Sequence, residues 1–212
     1  MKESTRLILN DLILRYPVLG AVSADVERAF DMLKSTYEAD GTVYVCGNGG
    51  SCADSEHIVG ELMKSFKKKR PLCENMREKL GEYGARGARL GEKLEGGLRA
   101  VSLCGHPGLS TAYANDADPA LVYAQQLCTL GREGDLLIAV STSGNSENCV
   151  FAALVAGAKG LKTIALVGGS GGELKDVCDA SLVVPEKETY KVQELHLPVY
   201  HCLCAMLEEE FF

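Results

Sequence analysis

Thr42-Val43-Tyr44-Val45-Cys46-Gly47-Asn48-Gly49-Gly50-Ser51 and Leu136-Leu137-Ile138-Ala139-Val140-Ser141-Thr142-Ser143-Gly144-Asn145-Ser146 share one construction. Each passes from a short apolar run into a loop of glycine, asparagine and hydroxyl residues, and each loop then opens a helical pattern. A short apolar run bounded by turn residues reads as a buried strand. The strand-loop-helix unit that results aims free backbone N–H groups and the positive end of a helix dipole at one spot. Glycine lets the backbone approach a ligand closely, and serine and threonine hydroxyls add donors. One such loop is weak information, whereas two in one chain predict a phosphorylated ligand.

Working outward, apolar runs recur at 42–46, 99–104, 135–140, 162–167 and 180–184. Helical patterns lie between them, as in Asp118–Leu130 and Asn145–Gly160. This alternation predicts an α/β fold, a parallel sheet covered by helices on both faces. Ligands of such sheets sit at the carboxyl ends of the strands, where both loops fall. Two helical stretches, Ser4–Tyr16 and Ser23–Ala39, precede the first strand and are separated by Pro17 and Gly20. A third, Tyr190–Glu210, closes the chain. The charged segment Lys67–Gly97 reads as an excursion between the first two strands, with short helices at Glu74–Gly81 and Ala88–Glu95. It serves as a lid or as a surface embellishment. Residues 1–212 otherwise read as one domain.

The net charge of −7 argues against nucleic acid as a general partner. The one basic cluster, Lys64 with Lys67-Lys68-Lys69-Arg70, reads as a solvated loop or helix end. Nine cysteines show no C-x-x-C spacing, and several sit in apolar runs. Reduced, mostly buried thiols and a cytoplasmic location are therefore expected. Neither a leader peptide nor an apolar stretch long enough for a bilayer is recognisable, so no membrane association is expected.

The helix after the first loop carries His57 and Glu61 at i, i+4, which puts an imidazole and a carboxylate on one face. The spacing suits a divalent metal or a base with a hydrogen-bond partner. The plain alternative is a hydrogen-bonded pair with no chemistry. Gln193, Glu194, His196 and His201 lie in the last helix. Gln193 and His201 are about 80° apart around an ideal helix and about 12 Å apart along it. A metal held by both would need long reaching side chains or a distorted helix, and Pro198 lies between them. A structural role is expected for His196. Asn115-Asp116 falls in a turn-like setting where capping alone would account for it. A dinucleotide-binding fingerprint is excluded, because Ser51-Cys52-Ala53 stands where the third glycine of G-x-G-x-x-G would be needed.

The set G-N-G-G-S (47–51), D-S-E-H-I-V-G-E-L (54–62), A-N-D (114–116), S-T-S-G-N-S (141–146) and V-Q-E-L-H-L-P-V-Y-H (192–201) resembles the sugar isomerase (SIS) domain, and within it the phosphoheptose isomerases. The resemblance implies a three-layer α/β/α sandwich with a five-stranded parallel sheet, assembled as a homotetramer with sites at subunit interfaces. It implies an aldose-ketose isomerase that converts sedoheptulose 7-phosphate to D-glycero-D-manno-heptose 7-phosphate through an enediol(ate). By the same resemblance Asn48, Gly49, Gly50, Ser51, Ser141, Thr142, Ser143 and Ser146 contact substrate, chiefly its phosphate. Asn115, Asp116, Glu61 and Gln193 face the sugar. His57, Glu61, Gln193 and His201 match zinc-binding positions, and Glu61 and His201 match the acid-base pair. Two features depart from the pattern: the excursion at 67–97, and Tyr190 where some members carry an aspartate. An isomerase of another sugar phosphate, or a non-catalytic SIS adaptor or sugar-phosphate sensor, is the alternative. The adaptor type lacks the carboxylate that Glu61 supplies here.

Overall fold

A computed structural model describes all 212 residues. Helix α1 (Glu3–Arg15) leads through a 3-10 turn (Pro17–Val22) into α2 (Ser23–Glu38). Pro17 forces the break, since Tyr16 before it is pushed to φ −130, outside the helical region. Next come β1 (Val43–Gly47) and α3 (Gly50–Met63), then the excursion with α4 (Glu74–Gly81) and α5 (Gly84–Lys93). The chain continues through β2 (Ala100–Ser102), α6 (Pro107–Asp116), α7 (Val122–Leu130), β3 (Leu136–Ser141) and α8 (Glu147–Ala158). It ends with β4 (Lys162–Gly168), α9 (Gly172–Val177), β5 (Ala180–Val184) and α10 (Thr189–Phe211).

All five strands are parallel and lie in the order β2-β1-β3-β4-β5. The strand alternation sorts the core into two layers. Val43, Val45, Ile138, Ile164 and Leu182 face α1, α2, α3 and α10. Tyr44, Cys46, Leu137, Ala139 and Val167 face α7, α8 and α9. Strands buried on both faces explain why each run reads as continuously apolar.

The excursion differs from expectation in its second helix, which runs from Gly84 to Lys93 instead of Ala88 to Glu95. Gly84, at φ +68, lets the chain turn and restart directly after α4. Glu95 is drawn off into an antiparallel bridge with Pro71. The two helices cross where a Cβ on Gly87 would strike the Leu80 carbonyl, and only Gly87 and Gly91 of this hairpin are buried. Asn115 and Asp116 also differ from the turn expected, because they form the last residues of α6.

The C-terminal helix is tied to the N-terminal pair by Glu210. Its carboxylate accepts from Lys34 Nζ at 2.7 Å, Thr5 Oγ1 at 2.9 Å and the Lys2 N–H at 3.0 Å. Burial alone would raise its pKa, but these donors overcome it and hold the group down at about 2. A depressed carboxylate contributes stability that is complete above its unfolded pKa of about 4.3 and is lost as pH falls through the folded value. The urea midpoint should therefore fall between pH 5 and pH 2 by less in Glu210→Gln than in the parent, in paired unfolding curves.

Candidate functional site

The order 2-1-3-4-5 reverses direction between β1 and β3, so a crevice opens at their carboxyl ends. Both glycine-hydroxyl loops emerge there. The first is shorter than its sequence suggests: Gly47 ends β1, Asn48 and Gly49 turn, and Gly50 and Ser51 already begin α3. Gly49 holds φ +54 and ψ −118, a conformation that side-chain-bearing residues rarely adopt. In the second loop the Ser141 and Ser146 hydroxyls lie 3.0 Å apart. The N–H groups of Gly49, Gly50, Thr142 and Ser143 donate to no backbone carbonyl, so they are free for an anion.

The two loops are fastened to each other. Asn48 and Asn148 exchange a pair of amide hydrogen bonds, at 2.8 and 2.9 Å. Tyr123 Oη donates to the Gly47 carbonyl at 2.6 Å and stands 3.2 Å from Asn48 Oδ1. Asn148 and Tyr123 were not singled out from the sequence. Asn148 lies just past the second loop motif, but its partner is 100 residues away and has no local signature.

From the first loop α3 and α10 run side by side in the same direction, and the seam between them carries the remaining candidates. At its upper end the Gln193 amide packs on Gly50, where a Cβ would collide with it. Two to three turns further, His57 Nε2 stands 3.4 Å from Glu61 Oε1 and 3.4 Å from His201 Nε2. His57, Glu61 and His201 are thus brought together, while Gln193 makes no hydrogen bond to any of them. The expected four-residue metal set is separated by the roughly 12 Å of helix between its two members on α10. The Asn115 side chain donates to the Asp116 carboxylate at 2.9 Å, at the exposed end of α6. Tyr190 is exposed on the first turn of α10.

Glu61 is 9% exposed, and its Oε2 has no hydrogen-bond partner. Lys64 Nζ approaches that oxygen only to 3.6 Å. Burial, reinforced by His57 nearby, lowers the His201 pKa, and Glu61 opposes the shift. His201 is therefore neutral at physiological pH and can accept or donate a proton. His196 is fully buried, and desolvation brings it down to about 4, in keeping with a structural role.

Arg70 corrects the reading of the basic cluster as solvated: its side chain is 0% exposed. Its Nε donates to Glu208 Oε1 at 2.7 Å, and its other nitrogens donate to the Leu62 and Glu61 carbonyls at 2.8 and 3.0 Å. Those carbonyls belong to the last turn of α3, where the helix itself supplies no donors, and the Leu98 N–H also donates to Leu62 at 2.9 Å. Glu208 also accepts from the N–H groups of Phe66, Lys67 and Lys68. The far end of the seam is thus clamped beside Glu61. A cavity of about 440 Å³ between α1 and α10, lined by Arg15, Tyr16, Phe66, Lys67 and His201, reaches the cluster at His201.

No three His, Cys, Asp or Glu groups form a ready-made metal centre. The donor set of His57, Glu61 and His201 nevertheless fits a borderline cation such as zinc, with two imidazole nitrogens and a carboxylate oxygen converging around one ring nitrogen.

A domain with a paired-loop crevice over a parallel five-stranded sheet is a sugar-phosphate-binding architecture, and residues 18–102 and 97–168 match the model of the SIS domain. A phosphoheptose isomerase of Akkermansia muciniphila is 32% identical over 212 residues, 100% of this chain and 99% of its own. One from Nitratiruptor sp. is 39% identical over 169 residues, covering 80% of this chain and 77% of the relative. The solved phosphoheptose isomerase of Neisseria gonorrhoeae superposes with a TM-score of 0.75 at 27% identity, covering 98% of each chain. The chain belongs to the SIS domain family and, within it, to the phosphoheptose isomerases.

Proposed function

We propose that this protein is the aldose-ketose isomerase that converts sedoheptulose 7-phosphate to D-glycero-D-manno-heptose 7-phosphate, the first step of activated heptose biosynthesis. The observation that carries the mechanism is the buried Oε2 of Glu61, which makes no hydrogen bond and stands on the helix that starts at the first anion-binding loop. The phosphate sits on the free N–H groups and the Ser51, Ser141, Thr142, Ser143 and Ser146 hydroxyls. The sugar then extends along the α3–α10 seam toward Glu61 and His201, with Gln193 near its phosphate end.

Glu61 takes one proton from C1 of the ketose, and the C1–H electrons form the C1–C2 double bond of an enediolate. His201 carries the proton of the C1 hydroxyl to the C2 oxygen, and Glu61 returns its proton to C2. Atoms balance without any added reactant. Zinc held by His57, Glu61 and His201 would supply electrophilic stabilisation of the developing oxyanion. Ligation normally weakens a carboxylate base, but the two oxygens of Glu61 divide the roles: Oε1 faces His57, while Oε2 makes no hydrogen bond and has only Lys64 Nζ nearby, at 3.6 Å.

Further parts of the reading concern assembly and setting. We read residues 1–212 as a single catalytic domain that works as a homotetramer, supported by Leu7 and Leu14 on α1, which are 62% and 80% exposed. Sedimentation at low and high protein concentration tests this. No helix is long and apolar enough to cross a membrane. Nine unpaired cysteines suit a reducing cytoplasm.

Incubation with sedoheptulose 7-phosphate in deuterated water, read by NMR, tests the activity. An aldoheptose phosphate product supports it, and deuterium at C2 supports the enediol route. Absence of product with and without added zinc would leave another sugar phosphate, or binding alone, as the function. Ser141→Ala removes one hydroxyl from a charged ligand, a loss of about 1.5–3 kcal/mol. KM should rise roughly 10–100-fold with kcat nearly constant. An unchanged KM would remove Ser141 from the phosphate site.

A further inference from the structure

We propose that Asp54 and Tyr200 are positioning residues that hold the proton of His57 on Nδ1, so that its bare Nε2 is presented to a cation shared with Glu61 and His201. The argument begins with Tyr200, which is 2% exposed and reaches two polar groups. Its Oη lies 3.1 Å from Asp54 Oδ1 and 3.1 Å from His57 Nδ1. A phenol has one proton to give.

Asp54 when ionised can only accept, and the phenol proton therefore points to it. The remaining lone pair on Oη accepts from His57, which requires a hydrogen on Nδ1. A neutral imidazole carries one N–H, so Nε2 is left as a lone pair. The ring is also fixed in plane, with Tyr200 edge-on to it at 5.5 Å between centroids and 74° between planes. That lone pair faces Glu61 Oε1, another acceptor, at 3.4 Å. Two acceptors at this distance repel unless a positive centre lies between them. Orientation of a ligating histidine through its other nitrogen is the usual means of setting ligand geometry.

Both positioning residues sit beside groups already in the site. Tyr200 immediately precedes His201 on α10, and Asp54 lies one turn before His57 on α3. One turn of α10 therefore supplies a ligand and orients another.

The inference rests on His57 being a metal ligand, and the experiment separates that premise from the relay. Metal-free, 15N-labelled full-length protein is studied at a pH where the imidazoles are neutral. Long-range 1H–15N correlation spectra give the tautomer, and His57 is identified by its loss in His57→Ala. The expected result is Nδ1–H in the parent. In Tyr200→Phe the acceptor is gone, and the Nε2–H form, which free imidazole side chains favour, should become the major one. In Asp54→Asn the amide can donate to Oη and turn the phenol proton toward His57, so the Nδ1–H fraction should fall. Zinc affinity, measured by competition with a chelating dye, should fall about 10–100-fold in Tyr200→Phe. Nε2–H in the parent, or the parent tautomer in both folded variants, would overturn the relay. A changed tautomer with unchanged zinc affinity would overturn its link to the cation. A parent that binds no zinc would remove the ligand premise and overturn the presentation of Nε2 to a metal, whatever the tautomer.

Discussion

Glu61→Gln should fold, bind sugar phosphate and lose about 10³-fold or more in kcat. General acid-base groups contribute typically about 10²–10⁴-fold, and here the same carboxylate both removes and returns the carbon-bound proton. Glutamine keeps the shape but cannot take a proton. Competitive inhibition by inorganic phosphate should be nearly unchanged, because the anion loops are held by Asn48, Asn148 and Tyr123 and not by Glu61. Steady-state turnover with phosphate inhibition separates the two effects. Retention of more than about a tenth of parental kcat would remove Glu61 as the base.

The second large effect concerns stability. Arg70→Met should cost about 3–5 kcal/mol, because it leaves the Glu208 charge in place without its guanidinium. For a chain of this size that corresponds to a fall in Tm of roughly 6–20 °C. The backbone donors of Phe66, Lys67 and Lys68 still reach Glu208, so the lower part of the range applies if they compensate. Glu208→Leu should be comparably damaging. The double variant should lose little more than the worse single variant, since the pair acts as one unit. Calorimetry of all four proteins tests this, and simple additivity would show that the two groups stabilise independently.

Much of this architecture was legible in the chain. The five apolar runs became the five strands within a residue or two at most ends, because strands buried on both faces leave little room for polar residues. Both anion loops were legible for the same local reason: strand, turn and helix start are contiguous in sequence. His57 and Glu61 were found because their relation is one helical turn. What escaped lies between elements. Arg70 reads as part of a lysine-rich surface run, and its partner is 138 residues away. Tyr200 and Asp54 are 146 residues apart, and nothing around either one signals the other. Gln193 was grouped with His201 by the family resemblance, against the roughly 12 Å that an ideal helix puts between them, and a neighbouring glycine admits its amide at the loop end.

The bridge between Pro71 and Glu95 brings together the two ends of the excursion, with the Gly96 N–H bonded to the Arg70 carbonyl at 2.6 Å. Such a neck makes this a place where chain length is free to drift over evolutionary time. Lengthening a loop whose ends are already joined costs only with the logarithm of its length. The hairpin beyond the neck lends almost no buried surface to the rest of the molecule, so a shorter or longer version could be exchanged there. The catalytic wall would stay fixed, because Arg70 and Glu208 stand on the molecule's side of the neck.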